Sequence, residues 1–227
     1  MKLFEKIRSR LGPVPQGSYV GDYMADYGRH TDLRVKRDPH EAVGGLWEEI
    51  GELQFQFLKS EGLKPSDTLL DIGCGTLRGG RHFVRYLENG NYTGTEMSKL
   101  AVKEADRLVA RENLLGKKPT IIHVPDGNLR FDGLKKFDFI LAQSVFTHLK
   151  ERLIEECFAN IAKVFGSRFY FTFFEADTPT ARSNKDFAYP FAYFKRVASE
   201  NGLKVENLSS RYHHPRTQKM GLATRRR

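Results

Sequence analysis

The residue types best suited to chemistry lie close together in the stretch 69–80, LLDIGCGTLRGG. An apolar run ends in the acid Asp71, and glycines follow at positions 73, 75, 79 and 80. A glycine-rich turn after a strand lets a cofactor lie against bare backbone, because no side chain keeps it away. A second acid, Glu96, ends the next short strand-like stretch. The pattern predicts a cofactor site and leaves the cofactor to be identified.

Two classes of cofactor site begin with such a turn. A dinucleotide site follows the pattern G-x-G-x-x-G, whose third glycine lets the helix pack closely on the strand beneath a pyrophosphate. Gly73 and Gly75 fit this pattern, but Arg78 occupies the third position. An arginine there would crowd the helix against the strand, so the sequence disfavours a dinucleotide. The alternative pattern has an acid before the turn and a second acid after the next strand, as Asp71 and Glu96 provide.

Predicted strands and helices alternate around this turn. The spacing of apolar residues predicts strands at 68–72, 92–96, 120–124, 137–142, 168–174, 203–209 and 217–224. It predicts helices at 77–87, 99–113, 149–164 and 191–201. Such alternation is typical of a parallel sheet covered by helices on both faces, where ligands bind at the carboxyl ends of the strands. We therefore expect the glycine turn and Glu96 to share one crevice.

The first 62 residues are predicted to form an N-terminal arm and lid helices ahead of a core at 63–227, within one compact domain. Residues 1–12 have apolar side chains at helical spacing, which predicts a helix docked on the domain or, alternatively, lying on a membrane surface. Residues 13–38 are rich in Gly, Pro, Asp and Tyr and are predicted to be irregular. Apolar residues then recur every three or four positions through 39–57, which predicts one continuous helix.

Composition and charge bear on compartment and partners. The 227 residues include two cysteines and no run that approaches the roughly 20 apolar residues of a membrane span, so we expect a cytoplasmic protein. The net charge is +9, but residues 1–12 hold four basic residues and one acid, and residues 211–227 hold six basic residues and no acid. Because this excess lies at the two ends and not across a face of the fold, nucleic acid is disfavoured as a partner.

Asp71, Gly73, Gly75 and Glu96, together with LAQSVFTHL at residues 141–149, make the chain resemble the class I S-adenosylmethionine-dependent methyltransferases. The resemblance covers about residues 69–174. It implies a three-layer Rossmann-like fold, whose seven-stranded and mostly parallel sheet ends in an antiparallel strand. It also implies that S-adenosyl-L-methionine is the cofactor.

The resemblance assigns roles to individual residues. It places Gly73, Cys74 and Gly75 along the methionine and ribose parts of the cofactor, and it makes Glu96 the acceptor of hydrogen bonds from both ribose hydroxyls. Arg78 is a candidate to bind the cofactor's carboxylate, with an ordinary salt bridge as the alternative. The other cofactor contacts that we expect are Asp71, Met97, Asp126 or Asn128, Gln143 and Ser144.

Three residues are candidates for proton transfer. A base is needed when the methyl acceptor is a hydroxyl, and less so for a carboxylate or a neutral amine. His148 lies just past the predicted strand 137–142, and an imidazole accepts protons near neutral pH; alternatively it caps or packs the next helix. Glu175 directly follows the strand at 168–174, with a solvated loop acid as the alternative. His214, in the turn RYHHPR, is the second candidate for the base.

The remaining expectations concern the methyl acceptor. His213 and Arg216 in the same turn, and Tyr189 before a helix, are predicted to border it. Gln143 and the residues after it lack the Asn/Asp-Pro-Pro-aromatic segment of base-directed amine methylation. Gln143 also breaks the carboxylate set of metal-assisted relatives, so we expect no metal.

These observations predict methyl transfer to an oxygen, or less favourably a nitrogen, of a small or medium polar acceptor. A sugar, a carboxylate or another metabolite would suit a basic rim with histidines. Two alternatives stay open. The chain could be an RNA-directed methyltransferase that uses its basic ends, or a non-catalytic module that binds the cofactor or a membrane surface.

Overall fold

The computed structural model describes residues 20–124 and 129–226. Three helices precede the sheet in this part of the chain: α1 (Val20–Arg37), α2 (Pro39–Ala42) and α3 (Trp47–Ser60). The central elements are β1 (Leu69–Ile72), α4 (Gly80–Tyr86), β2 (Tyr92–Glu96), α5 (Lys99–Arg111), a 3₁₀ turn (Leu115–Lys117), β3 (Thr120–His123) and β4 (Phe137–Ala142). The last elements are α6 (Glu151–Val164), β5 (Phe165–Glu175), β6 (Thr180–Ala181), β7 (Phe187–Tyr189), α7 (Phe191–Glu200), β8 (Leu203–Asn207) and β9 (Lys219–Arg225).

One nine-stranded sheet connects the strands of the described ranges. Its order is β3-β2-β1-β4-β5-β7-β6, with β9 paired to β5 and β8 paired to β9. The strands from β1 to β5 pair in parallel, and β9 runs antiparallel to both β5 and β8. The α/β fold class predicted from the sequence is therefore confirmed, including the antiparallel last strand. The sequence did not predict the two short strands β6 and β7, which form a hairpin beside the end of β5.

Apolar residues on the two faces of the sheet form two cores, and β5 contributes to both. Phe171 and Phe173 belong to one core, whereas Tyr170 belongs to the other. The Phe171 ring packs on the Phe194 ring of α7, with 5.0 Å between the centroids. Such burial on both faces is what a near-continuous apolar run predicts for a central strand. β5 is thus a strand of the sheet that is buried on both faces.

The prediction of an irregular arm over residues 13–38 is wrong for residues 20–37, which form α1. Glycine and aspartate favour other conformations in isolation, so local propensity is weak here. The helix is stabilised by packing, because Tyr23, Met24 and Val35 are buried against the rest of the protein. Tertiary contacts commonly supply most of the stability of a helix, and they outweigh propensity in this segment.

The single helix predicted through residues 39–57 is interrupted. α2 ends at Ala42 and α3 begins at Trp47. Between them Gly44 and Gly45 have φ values of 97° and 63°, in the left-handed region that glycine adopts without strain. The apolar period continues across the break, which is why the sequence pattern did not show it.

Some expectations fall outside the described residues, namely the helix within residues 1–12 and the adenine contact from Asp126 or Asn128. Within residues 20–124 and 129–226, no helix is both long and apolar enough to cross a membrane. In the same ranges, no group of three or more His, Cys, Asp or Glu side chains is arranged to hold a metal ion. The division into residues 1–62 and 63–227 stays a prediction.

The contact that fixes α1 to the sheet domain can be tested at Asp32. Its carboxylate accepts hydrogen bonds from Ser98 Oγ at 2.5 Å and from the Leu100 amide at 3.1 Å, at the start of α5. We expect Asp32→Ala to lower the free energy of unfolding by about 1–2 kcal/mol in urea denaturation, because a helix start loses a capping acceptor.

The matched control is Asp132→Ala, since that carboxylate contacts the exposed Lys163 amine at 3.4 Å. We expect the control to change stability by less than about 0.5 kcal/mol. Equal losses in the two variants would contradict the role assigned to Asp32.

Candidate active site

A cavity of about 410 Å³ lies at the carboxyl ends of β1, β2 and β4. Its lining comes from the glycine turn after β1, the end of β2, the segment after β4, the connection between β8 and β9, and one side of α1. Small-molecule sites commonly have volumes of roughly 300–1,000 Å³. The cavity is therefore large enough for a ligand, and it lies in the crevice that a parallel sheet predicts.

The glycine turn after β1 has no room for side chains at Gly73 or Gly75. Both residues have left-handed φ values, 69° and 57°. A Cβ on Gly73 would lie 2.8 Å from Cγ2 of Val145, and a Cβ on Gly75 would lie 2.5 Å from Cγ1 of Val43. The Gly73 amide donates a hydrogen bond to the Thr95 carbonyl on β2 at 2.8 Å. The turn is thus held in place and lines the cavity with bare backbone.

Glu96, the last residue of β2, is buried where it lines the cavity. One carboxylate oxygen accepts a hydrogen bond from the Gly75 amide at 3.0 Å, and the other accepts one from the Ser98 amide at 2.8 Å. Burial raises the pKa of the Glu96 carboxyl, and the hydrogen bonds from backbone amides oppose that rise. Each oxygen keeps acceptor capacity for a further bond. Glu96 can therefore bind a pair of hydroxyls in the cavity.

Asp71 is the buried acid that the sequence predicted before the turn, and it also lines the cavity. Its carboxylate accepts a hydrogen bond from the hydroxyl of Tyr92 at 2.8 Å. Burial raises the pKa of Asp71 to about 7, the Tyr92 hydrogen bond opposes the rise, and the charge of Glu96 adds to it. Asp71 thus joins β1 to β2 beneath the site.

Arg78 is buried in the cavity wall, and no carboxylate of residues 20–124 or 129–226 forms a salt bridge with it. Its Nη1 donates to the carbonyls of Val43 at 2.8 Å and Gly45 at 2.9 Å, which holds the turn between α2 and α3. Its Nε is buried and has no hydrogen-bond partner in the described part of the chain. Burial lowers the pKa of Arg78 to about 10, so the guanidinium is charged at neutral pH. The Nε–H of this buried cation can therefore donate a hydrogen bond to a ligand.

His214 is also buried in the cavity wall. Its Nδ1 lies 3.1 Å from the backbone N–H of Arg216 and accepts that hydrogen bond, so the neutral ring carries its proton on Nε2. Nε2 is buried without a partner among the described residues. Burial, followed by the charges of Arg78 and Arg216, lowers the pKa of His214 to about 4. His214 is therefore a neutral hydrogen-bond donor, and this geometry does not suit the role of base that we expected.

His148 has the opposite arrangement. Its Nδ1 lies 2.8 Å from the Lys185 carbonyl, which can only accept, so Nδ1 carries the proton. The Asp186 carboxylate lies 3.2 Å from the same nitrogen. The hydrogen bond from His148 is the largest of the effects that lower the pKa of Asp186 to about 2. Since Nδ1 carries the proton, the lone pair that can accept a second proton is on Nε2. The imidazole lines the cavity.

Sequence reasoning missed Asp186, which comes from the hairpin of β6 and β7. The hairpin is held beside the site by a hydrogen bond from the Phe187 amide to the Thr147 carbonyl at 2.8 Å. Ser183 Oγ also donates to the Asp186 carboxylate, at 2.6 Å. The two strands are too short to leave a sequence pattern, so no local signal connects Asp186 with a histidine 38 positions earlier in the chain.

Gln143 and Ser144 belong to a polar network in the cavity. The Gln143 amide nitrogen donates to Gln218 Oε1 at 3.2 Å, and Ser144 Oγ donates to the same oxygen at 3.0 Å. The Tyr212 hydroxyl donates to Gln143 Oε1 at 2.7 Å. The network joins the segment after β4 to the connection between β8 and β9, and it keeps both predicted residues at the cavity surface.

The other predicted residues divide into two groups. Cys74, Met97 and Arg216 line the cavity, whereas Glu175, Tyr189 and His213 do not. Glu175 and His213 are exposed. Tyr189 is buried in the core, where its hydroxyl donates to the Leu149 carbonyl at 2.8 Å.

Sequence reasoning also missed the contribution of α1 to the cavity. Met24, Tyr27, Thr31 and Arg34 recur along one side of this helix and line the cavity. The Tyr27 ring lies 5.4 Å from the His148 ring. The only sequence signal was this spacing of three or four residues, which the polar composition of the segment concealed.

Comparison with known proteins agrees with this geometry. Residues 70–167 match the family model of a methyltransferase domain. The fold is similar to that of magnesium protoporphyrin IX methyltransferase from Synechocystis PCC 6803, solved with bound S-adenosylmethionine. The TM-score is 0.69 at 16% identity, over 94% of this chain and 100% of that chain.

Two further structures share the fold. The glycopeptide N-methyltransferase MtfA, solved with S-adenosylmethionine, has a TM-score of 0.60 at 11% identity, over 77% of this chain and 86% of that chain. The cyclase SpnF has a TM-score of 0.65 at 16% identity, over 89% and 96% of the two chains. At such identities the likeness shows the fold alone, and these names show that one fold serves different reactions.

The parallel sheet, the glycine turn and the buried acids that line its crevice define a Rossmann-like methyltransferase. More specifically, the methyltransferase domain matched over residues 70–167 confirms the resemblance to the class I S-adenosylmethionine-dependent methyltransferases that the motifs predicted, and the cofactor of that resemblance is S-adenosyl-L-methionine.

The assignment of Glu96 to the ribose can be tested by calorimetry with S-adenosylhomocysteine. We expect Glu96→Ala to weaken binding by about 10- to 150-fold, because the charged hydrogen bonds to the ribose hydroxyls, together worth about 1.5–3 kcal/mol, are lost. The exposed Glu200 supplies the control, and Glu200→Ala should bind like the wild type. Unchanged affinity in Glu96→Ala, with a native circular dichroism spectrum, would refute the assignment.

The protonation state of His214 predicts a pH dependence of stability. Its pKa is about 4 in the folded protein and roughly 6.5 when unfolded, so the unfolded chain binds more protons between these values. The contribution of His214 is thus complete above about pH 6.5 and is lost as the pH falls towards 4. We expect the wild type to lose about 1–3 kcal/mol more than His214→Gln over this range in urea denaturation. Parallel pH profiles for the two proteins would contradict the neutral, buried histidine.

Proposed function

We propose that this chain is an O-methyltransferase that moves the methyl group of S-adenosylmethionine to a hydroxyl of a small or medium polar acceptor. The orientation of His148 carries the proposal. Its Nδ1 is engaged by the Lys185 carbonyl, so Nε2 is the nitrogen that can accept a proton at the cavity. A hydroxyl must lose its proton on methylation, whereas a carboxylate or a neutral amine needs a base less.

The residues of the cavity fit the cofactor. The turn at Gly73 and Gly75 offers bare backbone, and Glu96 has acceptor capacity for the two ribose hydroxyls. Arg78 Nε and His214 Nε2 are buried donors without partners in the described ranges. A carboxylate has two oxygens, so it would satisfy both donors, and leaving them unsatisfied would be costly. We assign these donors to the carboxylate of the cofactor's methionine part.

When bound, the cofactor supplies a methyl group whose bond to a positively charged sulfur breaks as the acceptor oxygen attacks. The protein's main task is therefore to align the acceptor hydroxyl. His148 takes the hydroxyl proton on Nε2 and becomes an imidazolium. The Asp186 carboxylate, 3.2 Å from Nδ1, stays ionised because its pKa is about 2, and it stabilises this cation. Asp186 is a positioning residue that acts through His148.

Contacts to its backbone and to its ring hold His148 in place. The Tyr23 hydroxyl of α1 donates to the His148 carbonyl at 2.8 Å. The Asp186 carboxylate, from the hairpin of β6 and β7, lies beside Nδ1 of the ring. A cavity of about 410 Å³ has to hold the cofactor as well as the acceptor, so its size favours a small acceptor.

Three further expectations belong to this proposal. Cys74 and Cys157 are free and buried, which suits a cytoplasmic protein. Gln143 lies where metal-assisted relatives need a carboxylate, which favours methyl transfer without a metal. The polar and cationic lining of the cavity suits a small molecule, a glycan-like acceptor included.

The base can be tested once an acceptor is found by screening hydroxylated metabolites for release of S-adenosylhomocysteine. We expect His148→Ala to lower kcat by about 10²- to 10⁴-fold with nearly unchanged affinity for S-adenosylhomocysteine, because a positioned base contributes about this factor. Asp186→Asn should lower kcat less, and the double variant should be no slower than His148→Ala alone, since Asp186 acts through His148. Multiplicative losses, or full turnover in His148→Ala, would contradict this mechanism.

A further inference from the structure

A second group of cations lies where α1 approaches the hairpin of β6 and β7, next to His148. It consists of Lys185 from the hairpin with Arg34 and His30 from α1. Lys185 is joined to the proposed base directly, since its carbonyl accepts the proton of His148 Nδ1 at 2.8 Å. Arg34 lines the cavity and donates one N–H to the Glu41 carbonyl at 2.5 Å. Arg34 therefore borders the cavity, and Lys185 is attached to the cavity wall through its contact with His148.

The ammonium group of Lys185 is in an unfavourable environment. Nζ is buried, and no group in residues 20–124 or 129–226 forms a hydrogen bond with it. Burying an ammonium nitrogen without hydrogen bonds is unfavourable. If Lys185 served only to fill space, an apolar side chain of similar length would give the same stability without a buried charge.

The neighbouring charges make this environment worse. Burial, followed by the charge of Arg34, lowers the pKa of Lys185 to about 8, although Asp186 and Asp26 oppose the fall. Burial, followed by the charges of Lys185 and Arg34, lowers the pKa of His30. The cations thus lie close enough to destabilise one another.

The two nearby carboxylates are engaged elsewhere. The Asp186 carboxylate accepts hydrogen bonds from His148 and from Ser183 Oγ. The Asp26 carboxylate pairs with Arg29, three residues further along α1. Neither acid forms a hydrogen bond with the Lys185 ammonium. In the described part of the chain, the Lys185 ammonium therefore has no anionic hydrogen-bond partner.

We propose that the methyl acceptor carries an anionic group, a carboxylate or a phosphate, which binds between Lys185 and Arg34 beside His148. This inference rests on the O-methyltransferase function proposed above and narrows its substrate class to hydroxylated anions. The cofactor's own carboxylate is assigned to different residues, Arg78 and His214. An anion at Lys185 would place the acceptor's other end near Nε2 of His148, with the Tyr27 ring beside it.

The experiment uses the full chain saturated with S-adenosylhomocysteine and measures Tm at constant ionic strength. Sodium benzoate and inorganic phosphate are the anionic probes, and benzamide is the neutral match to benzoate. We expect at least one anion at tenfold its dissociation constant to raise the Tm of the wild type by about 3–5 °C, and benzamide to have no effect.

The variants are Lys185→Met and, as a control, Lys204→Met at an exposed lysine of β8. Without a probe, Lys185→Met should have a Tm equal to or above that of the wild type, because an unpaired buried charge is removed. It should lose the response to the anions, and its affinity for S-adenosylhomocysteine should not change. Lys204→Met should respond like the wild type.

The outcomes separate this inference from the proposed function. If S-adenosylhomocysteine does not bind the wild type, the proposed function fails. If it binds but neither anion raises Tm, or benzamide acts as strongly as benzoate, the anion site is wrong. A response in Lys185→Met equal to that of the wild type, or a clearly lower Tm of that variant without a probe, also overturns the site. The first of these two results shows binding elsewhere, and the second shows a structural lysine.

Discussion

The carboxylate of Glu96 joins the carboxyl ends of two neighbouring strands, and the rest of the site depends on this contact. Its oxygens accept the Gly75 amide of the glycine turn and the Ser98 amide after β2. These bonds offset part of the cost of burying the charge. Ser98 in turn caps α5 by accepting the Ala101 amide, and its hydroxyl donates to Asp32 of α1. One continuous chain of hydrogen bonds therefore positions the glycine turn, the start of α5 and the helix α1 that borders the cavity.

Two histidines in the same cavity acquire opposite hydrogen-bonding character from their Nδ1 partners. A carbonyl faces Nδ1 of His148, so that ring presents a lone pair on Nε2. A backbone N–H faces Nδ1 of His214, so that ring presents a proton on Nε2. The first suits proton transfer, and the second suits binding of an anion beside Arg78. Backbone geometry, and not residue type, separates the two functions.

The order and type of most elements could be predicted from the sequence. The strands β1, β4 and β5 follow apolar runs, because a strand buried on both faces is largely apolar along its length. The errors lie where packing opposes local preference. α1 is a helix because buried residues such as Tyr23 and Val35 compensate for weak propensity, and the break before α3 depends on Gly44 and Gly45. Both features are decided by what the segment contacts.

The sequence by itself determined the proposed cofactor end of the site. Asp71, Gly73 and Glu96 carry a short-range signature there, because a turn without side chains and a strand-ending acid depend on adjacent residues. Only the tertiary structure decided the proposed acceptor end. Asp186 and Lys185 come from a hairpin with two short strands, and they meet His148 across 37 or more positions of the chain. No local pattern can encode such a meeting, because it depends on how the sheet brings distant segments together.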